Sequence, residues 1–234
     1  MKSMKNIEYT KMAYLYDKFY VNKNYSKEVD FIKNFIKYDD AKILDAGCGT
    51  GNHAKILYDL GYKVAGFDQS QQMVDIANTK IKDCFWVGNL LNYNHKEKYD
   101  LIISFFAVFN HLKNYKEFKM ALLKLKSNLK DKGTIIIDLH NPQTSGTKQE
   151  IVENATRLMK WKKCNFLKKE FSTITYKIDG KVYKTKHVFK IFDINKLKKI
   201  AKQIGFNRVE FYENYNRELN ATKVSKNIQM VIKV

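Results

Sequence analysis

The sequence predicts an α/β fold, a doubly wound and mostly parallel sheet with helices on both faces. Three observations predict it. Short apolar runs alternate with segments of helical spacing from residue 42 to residue 139, as in successive βα units. The first run ends in Asp45 and opens into a turn with glycines at 47, 49 and 51. Such a strand–turn–helix unit can rest a nucleotide-like ligand on its backbone amides. The second run also ends in an acid, Asp68, so two parallel strands would set two carboxylates at one edge of the sheet.

In chain order, residues 7–20 are rich in tyrosine and have helical spacing. A helix is expected from Ser26 to Ile36, capped by Ser26, with Val29, Ile32, Phe35 and Ile36 covering the sheet. Strand one is Lys42–Ala46. A dinucleotide fingerprint would place its third glycine at position 52, but Asn52 stands there and Gly51 precedes it. Asp45 beside the turn is poor company for a pyrophosphate and good company for the ammonium of an amino-acid moiety. Cys48 fills a small-residue position in the turn and is not read as a nucleophile.

Leu60-Gly61 closes the next helix with a glycine cap, and residues 62–67 form strand two. Asp68 follows Gly51 by 17 residues, close to the ~20-residue spacing of ribose-binding acids in dinucleotide folds. Its carboxylate can accept both ribose hydroxyls, can cap the helix of residues 70–80, or can do both. Met73 in that helix faces either an adenine or the core. Strand three is 83–87, followed by Gly88-Asn89-Leu90. Strand four, 98–104, is a near-continuous apolar run suited to burial on both faces. Phe105 to Leu112 leaves its C-terminal end, where ligands lie in open α/β sheets. A helix from Lys116 to Leu129 and strand five from Thr134 to Leu139 complete this rhythm.

Residues 141–190 break it. Strands are expected at 161–166, 171–178 and 182–189, with Asp179-Gly180 as a hairpin turn. The expected result is an antiparallel insertion that walls the site. A helix from Asp193 to Gly205 follows, and residues 206–215 and 228–234 close the chain as an antiparallel pair. The expected organisation is a single domain over 1–234, with a helical N-terminal region at 1–40 and the insertion at 141–190.

At 234 residues with 44% apolar content, the chain is long enough for one sizeable core. No apolar run approaches the ~18 residues of a membrane span, and the N-terminus lacks an apolar signal region. A cytoplasmic protein is expected. Its three cysteines are scattered and form no zinc motif, so no metal is expected. The net charge is +19, and forty of the 43 basic residues are lysine. Such a field attracts anions. Two readings compete: AT-rich codon bias, and a nucleic-acid partner. Sequence-specific readers favour arginine for bidentate contacts, and only Arg157, Arg208 and Arg217 are present. Nucleic acid is therefore the less favoured partner.

The pattern Asp45-Ala46-Gly47-Cys48-Gly49-Thr50-Gly51 resembles motif I of the class I S-adenosylmethionine (SAM) methyltransferases. Together with Leu15-Tyr16-Asp17-Lys18-Phe19-Tyr20 and Asn110-His111-Leu112, it makes residues 9–234 similar to small-molecule enzymes of the amino-sugar N-methyltransferase kind. The resemblance implies a seven-stranded, Rossmann-like sheet whose last strand is antiparallel, and an N-terminal aromatic lid. It implies SAM as cofactor, with S-adenosylhomocysteine as product. The cofactor-binding set it implies is Tyr16, Asp45, Gly47, Cys48, Gly49, Gly51, Asp68, Gln69, Met73, Asn89, Leu90 and Phe105. The family often has Asp where Asn89 stands; Asn can still accept through its carbonyl but loses charge assistance.

Methyl transfer from a sulfonium needs alignment and exclusion of water. A neutral amine attacks unaided, whereas a hydroxyl needs a base. Tyr20 and His111 are the catalytic candidates, with His111 open between base, positioner and structural cap. His140 is a further substrate contact, and His53 is expected to pack or cap. Asn141-Pro142 follows the wrong strand for the motif of nucleic-acid amino-methyltransferases and lacks its second proline and aromatic. The leading expectation is an N- or O-methyltransferase acting on a small, anionic acceptor, such as a nucleotide-linked sugar or a phosphorylated cell-surface precursor. It would be a monomer or homodimer. An RNA methyltransferase, a SAM-binding regulator without turnover and a nicotinamide oxidoreductase are the alternatives.

Overall fold

The computed structural model describes residues 13, 15–93 and 95–234. Its main sheet is built from β1 (Lys42–Ala46), β2 (Lys63–Asp68), β3 (Phe85–Val87), β4 (Tyr99–Ser104) and β5 (Leu129–His140), with β10 (Arg208–Glu213), β11 (Asn216–Asn220) and β12 (Asn227–Lys233) added later in the chain. The spatial order is β11-β10-β12-β5-β4-β1-β2-β3. Strands β1 to β5 pair in parallel; β12 lies antiparallel between β5 and β10. The chain winds outward from β1 to β3 and then returns to β4. The strand order therefore reverses between β1 and β4, the place where open α/β sheets bind ligands.

Alternation within the strands assigns the two faces. Leu44, Ile102, Ile135, Ile137, Met230 and Ile232 pack under α4 (Tyr115–Ser127) and α5 (Ile194–Gln203). Their neighbours Ile43, Leu101, Ile103, Ile136 and Val231 pack under α1 (Tyr25–Lys33), α2 (Asn52–Asp59) and α3 (Gln71–Lys80). Both faces are covered, which is why these strands read as continuous apolar runs.

Between β5 and α5 a second sheet stands apart: β6 (Gly146–Val152), β7 (Ala155–Cys164), β8 (Lys169–Ile178) and β9 (Lys181–Lys190), antiparallel in that order. Its inner surface meets the helical residues 15–19 through Leu15, Phe19, Ala155, Tyr176 and Ile178.

Several boundaries differ from expectation. The main sheet has eight strands rather than seven. The eighth, β11, is an edge strand whose burial is poor, so no periodic apolar signal marks it. The insertion gains β6, whose pattern is mostly polar because one face meets water. Asn24, not Ser26, caps α1 by accepting from Lys27 N. Ser70, not Asp68, caps α3. The tyrosine-rich run before residue 13, and Tyr14, lie outside the described residues.

Candidate active site

The glycine turn is held from below. Gly47 N and Cys48 N both donate to Phe67 O, at 2.8 and 2.9 Å. Gly49 N donates to Asp68 Oδ2 at 3.0 Å, while Ser70 N donates to Asp68 Oδ1 at 2.9 Å. Asp68 thus shapes the turn and the start of α3 together. Gly47 and Gly49 both have positive φ, and the space around them differs. A Cβ on Gly47 would lie 2.6 Å from Val108 Cγ1, so that glycine admits the loop after β4. A Cβ on Gly49 would meet nothing within 4 Å, so that flank of the turn is open to a ligand.

Asp45 is 2% exposed, and its Oδ2 has no hydrogen-bond partner among the described residues. A buried polar atom left unpaired costs stability. Burial pushes the Asp45 carboxyl up to about 6; His53 opposes the rise and Asp68 adds to it. An orphaned carboxylate beside an open glycine turn fits a ligand that brings its own cation. This is the environment that the amino-acid end of SAM requires, and the residues present fit that cofactor.

The loop after β4 closes the other side. Ser104 Oγ donates to Ala46 O at 2.7 Å and joins the ends of β4 and β1. Phe106 and Ala107 then adopt consecutive left-handed conformations, φ 66° and 58°. Non-glycine residues hold such angles at a cost, and they concentrate at functional sites. Here Phe106 N donates to Asp138 Oδ2 at 3.1 Å, which holds the strained loop. The Phe106 ring faces Tyr20 at 4.9 Å and Tyr16 at 6.3 Å. Phe105, expected at the cofactor, has its ring buried, stacked with Tyr215 and beside His53. Phe106 is the aromatic that meets the two tyrosines.

At the end of β2 and β3 lie Gln69, Met73, Asn89 and Leu90. Asn89 Nδ2 donates to Gln69 Oε1 at 3.3 Å, and Asn89 Oδ1 accepts from Leu91 N at 2.9 Å. The Asn89 carbonyl therefore already serves its own turn. Leu90 is buried in the core, and Met73 is half-buried on α3. Cys48 is buried and its thiol is pushed well above its usual range, chiefly by burial and then by Asp45 and Asp68, so it is no nucleophile at neutral pH.

Asp17 is a residue that the sequence did not single out. Its Oδ1 accepts from Thr50 Oγ1 and from Asn52 Nδ2 (2.9 Å), and its Oδ2 pairs with Lys80 Nζ at 2.6 Å. The N-terminal helical turn is thereby fastened to the start of α2 and the end of α3. His53 is buried and pairs with Glu28, which Lys23 also contacts. Burial opposes ionisation of Glu28, but His53 and Lys23 outweigh it and lower its pKa.

The second sheet stands on the far side of Tyr20 from Phe106. Arg157 is 1% exposed, binds Glu150 through Nε and Nη2, and lies 4.4 Å from the Tyr20 ring and 4.5 Å from the Phe19 ring. Asn110, fully buried, donates to His140 O (2.9 Å) and Lys190 O (2.7 Å) and accepts from His140 N (2.9 Å). It ties the β4 loop to β5 and β9. His111 follows it in a 3-10 turn and packs 4.6 Å from Phe189 and 5.8 Å from His187, with part of its ring open to solvent. Desolvation, and then repulsion from His187, push His111 down to about 4. His140 pairs with the buried Glu170 at 3.1 Å, and its ring also neighbours Phe189.

Among the described residues, no group of three or more His, Cys, Asp or Glu is placed to hold a metal ion. No helix among them is long and apolar enough to cross a membrane. A cleft of about 520 Å³ between α1 and the β10–β11 turn is lined by Lys27, Asp30, Arg217 and Glu218. It holds none of the glycine-turn residues and is a surface groove of mixed charge.

A family model described as a methyltransferase domain matches residues 17–210. An uncharacterized protein of Methanocaldococcus jannaschii is 35% identical over 85% of this chain and 74% of its own length. The dTDP-3-amino-3,4,6-trideoxy-alpha-D-glucopyranose N,N-dimethyltransferase of Streptomyces venezuelae is 24% identical; the match covers 54% of this chain and 56% of that enzyme. Among solved structures, a SAM-dependent methyltransferase from Clostridium acetobutylicum superposes with a TM-score of 0.81 at 22% identity, over 97% of this chain and 98% of that one. With the glycine turn, the two acids at the sheet edge and the reversal of strand order already in place, the chain belongs to the class I SAM-dependent methyltransferases.

Proposed function

We propose that the protein is a cytoplasmic N-methyltransferase whose acceptor is the amino group of a small, anionic molecule of the nucleotide-linked amino-sugar type. The observation that carries this reading is the placement of Tyr20. Its ring is edge-on to Phe106 at the glycine-turn side and 4.4 Å from Arg157 on the insertion side. An acceptor seated beside Tyr20 would meet both halves of the site. Similarity to an amino-sugar dimethyltransferase supports the same acceptor class, and the +19 charge favours an anionic partner.

In this reading Asp45 holds the cofactor's ammonium and Asp68 its ribose. Gly47, Cys48, Gly49 and Gly51 supply the turn against which it lies. Gln69, Met73, Asn89 and Leu90 surround its base, and Tyr16 closes over it. The cofactor supplies an electrophilic methyl on a sulfonium, open to in-line displacement. Tyr20 orients the acceptor nitrogen. His111, neutral at physiological pH, accepts a hydrogen bond from the amine and so orients its lone pair towards the methyl; the proton left on the methylated nitrogen passes to solvent. The N-terminal region up to residue 40 acts as a lid and residues 141–190 as the acceptor wall, within one domain.

The test is mass-spectrometric detection of methyl gain on paired acceptors, nucleotide-linked sugars that differ only in carrying an amino or a hydroxyl group. Methylation of the amino member alone is expected. Transfer to the hydroxyl member, or to RNA in place of both, would overturn the proposal.

A further inference from the structure

The hairpin tip joining β7 to β8 differs from the rest of the insertion. It runs Cys164-Asn165-Phe166-Leu167-Lys168-Lys169, with Phe166 94% exposed and Leu167 46% exposed. The tip has a fixed shape. Lys168 N donates to Asn165 O at 3.2 Å, and Ile191 N donates to Lys168 O at 2.9 Å, which fastens it to the end of β9. Lys190 Nζ donates to Leu167 O at 3.4 Å. Lysines crowd this point: the Lys190 ammonium is pushed below its usual range by burial and by repulsion from Lys169, Lys168 and Lys196. The acids nearest in the chain are engaged elsewhere. Glu170 turns inward to His140, and Asp193 caps α5 through Asn195 N and Lys196 N.

We propose that this tip docks the protein on an anionic lipid bilayer, with Phe166 and Leu167 entering the interface and Lys168, Lys169, Lys190 and Lys196 resting on the headgroups. The pairing of exposed apolar residues with a ring of ammonium groups is what peripheral binding needs: apolar burial adds to electrostatic attraction. Charge complementarity selects an anionic partner. A bilayer is favoured over nucleic acid because the apolar pair sits at the apex of a hairpin, not in a groove that could track a backbone. Leu167 also offers no face on which a base could stack.

The experiment is co-sedimentation of the full chain with vesicles of pure phosphatidylcholine and with vesicles enriched in phosphatidylglycerol. Binding to the anionic vesicles only, weakened by added salt, is expected. The double variant Phe166→Asp, Leu167→Asp should bind at least about tenfold more weakly while keeping its circular dichroism and SAM affinity. Lys168→Glu with Lys169→Glu should lower affinity and flatten its salt dependence. Absence of binding to anionic vesicles, or equal binding by the folded Phe166/Leu167 variant, would overturn the proposal. So would binding to a single-stranded RNA oligonucleotide, in the absence of vesicle binding, that the same variant loses.

Discussion

Asp68 accepts from the amides of Gly49 and Ser70, so it shapes the glycine turn in addition to the ribose contact proposed for it. Replacing it with alanine removes charge-assisted hydrogen bonds of about 1.5–3 kcal/mol each. SAM affinity measured by calorimetry should fall at least about tenfold; unchanged affinity in a folded Asp68→Ala protein would remove this residue from the site. His111 has a different test. Because its pKa is pushed down to about 4 by desolvation and His187, it is already neutral between pH 6 and 8 and should add no limb to the pH–rate profile there. With an amine acceptor, His111→Ala should cost roughly tenfold in kcat, well short of the ~10²–10⁴ expected when a general base is lost. A drop of that larger size, with residual activity rising with pH, would point to a hydroxyl acceptor. At this scale the sequence makes placement legible where chemistry and spacing coincide: Asp45 and Asp68 stand at the same end of neighbouring parallel strands, and Gly49 has a positive φ. Composition does not say which of the adjacent rings Phe105 and Phe106 enters the core, because neighbours leaving a strand point to opposite sides; Phe105 is buried and Phe106 exposed.

The N-terminal turn, the glycine-turn helix and α3 meet at one carboxylate. Asp17 joins Thr50, Asn52 and Lys80, residues that lie 33, 35 and 63 positions away in sequence. Long-range pairing of this kind leaves no periodic trace, so the sequence alone gives Asp17 no role. The same reason hid β6 and β11: half-exposed or edge strands carry weak alternation, whereas β4, buried on both faces, was legible as an apolar run. If residues 15–24 act as a lid, Asp17→Ala should loosen it. Hydrogen bonds to a charged group are worth about 1.5–3 kcal/mol, and the partial exposure of the Lys80 pair argues for the low end. Cofactor-product dissociation, followed by stopped-flow displacement, should then quicken by about tenfold, with the sheet's thermal stability little changed. An unaltered dissociation rate would mean that the contact is structural only.

For the molecule as a whole, the fold class follows from a regular alternation of elements, while the full extent of the second sheet depends on pairings that only three dimensions supply. Among the described residues Asp45 Oδ2 is buried and unpaired, which suits a cationic ligand that would neutralise it. The ligand-free protein bears the cost. With the folded pKa raised to about 6, the charge is destabilising above that pH, and the penalty fades as pH falls toward the unfolded value of about 3.9. Asp45→Asn should therefore make the ligand-free protein more stable at pH 7, by up to about 3 kcal/mol, and chemical denaturation can check it. The most direct measurement is SAM affinity by calorimetry from pH 5 to 7.5, for the wild type and Asp45→Asn. Binding a cation requires the ionised form. Wild-type affinity should hold above about pH 6 and weaken by close to tenfold per unit below it, while the Asn variant binds weakly at every pH. Wild-type affinity that ignores pH over this range, or an Asn variant that binds as tightly as the wild type, would contradict the account.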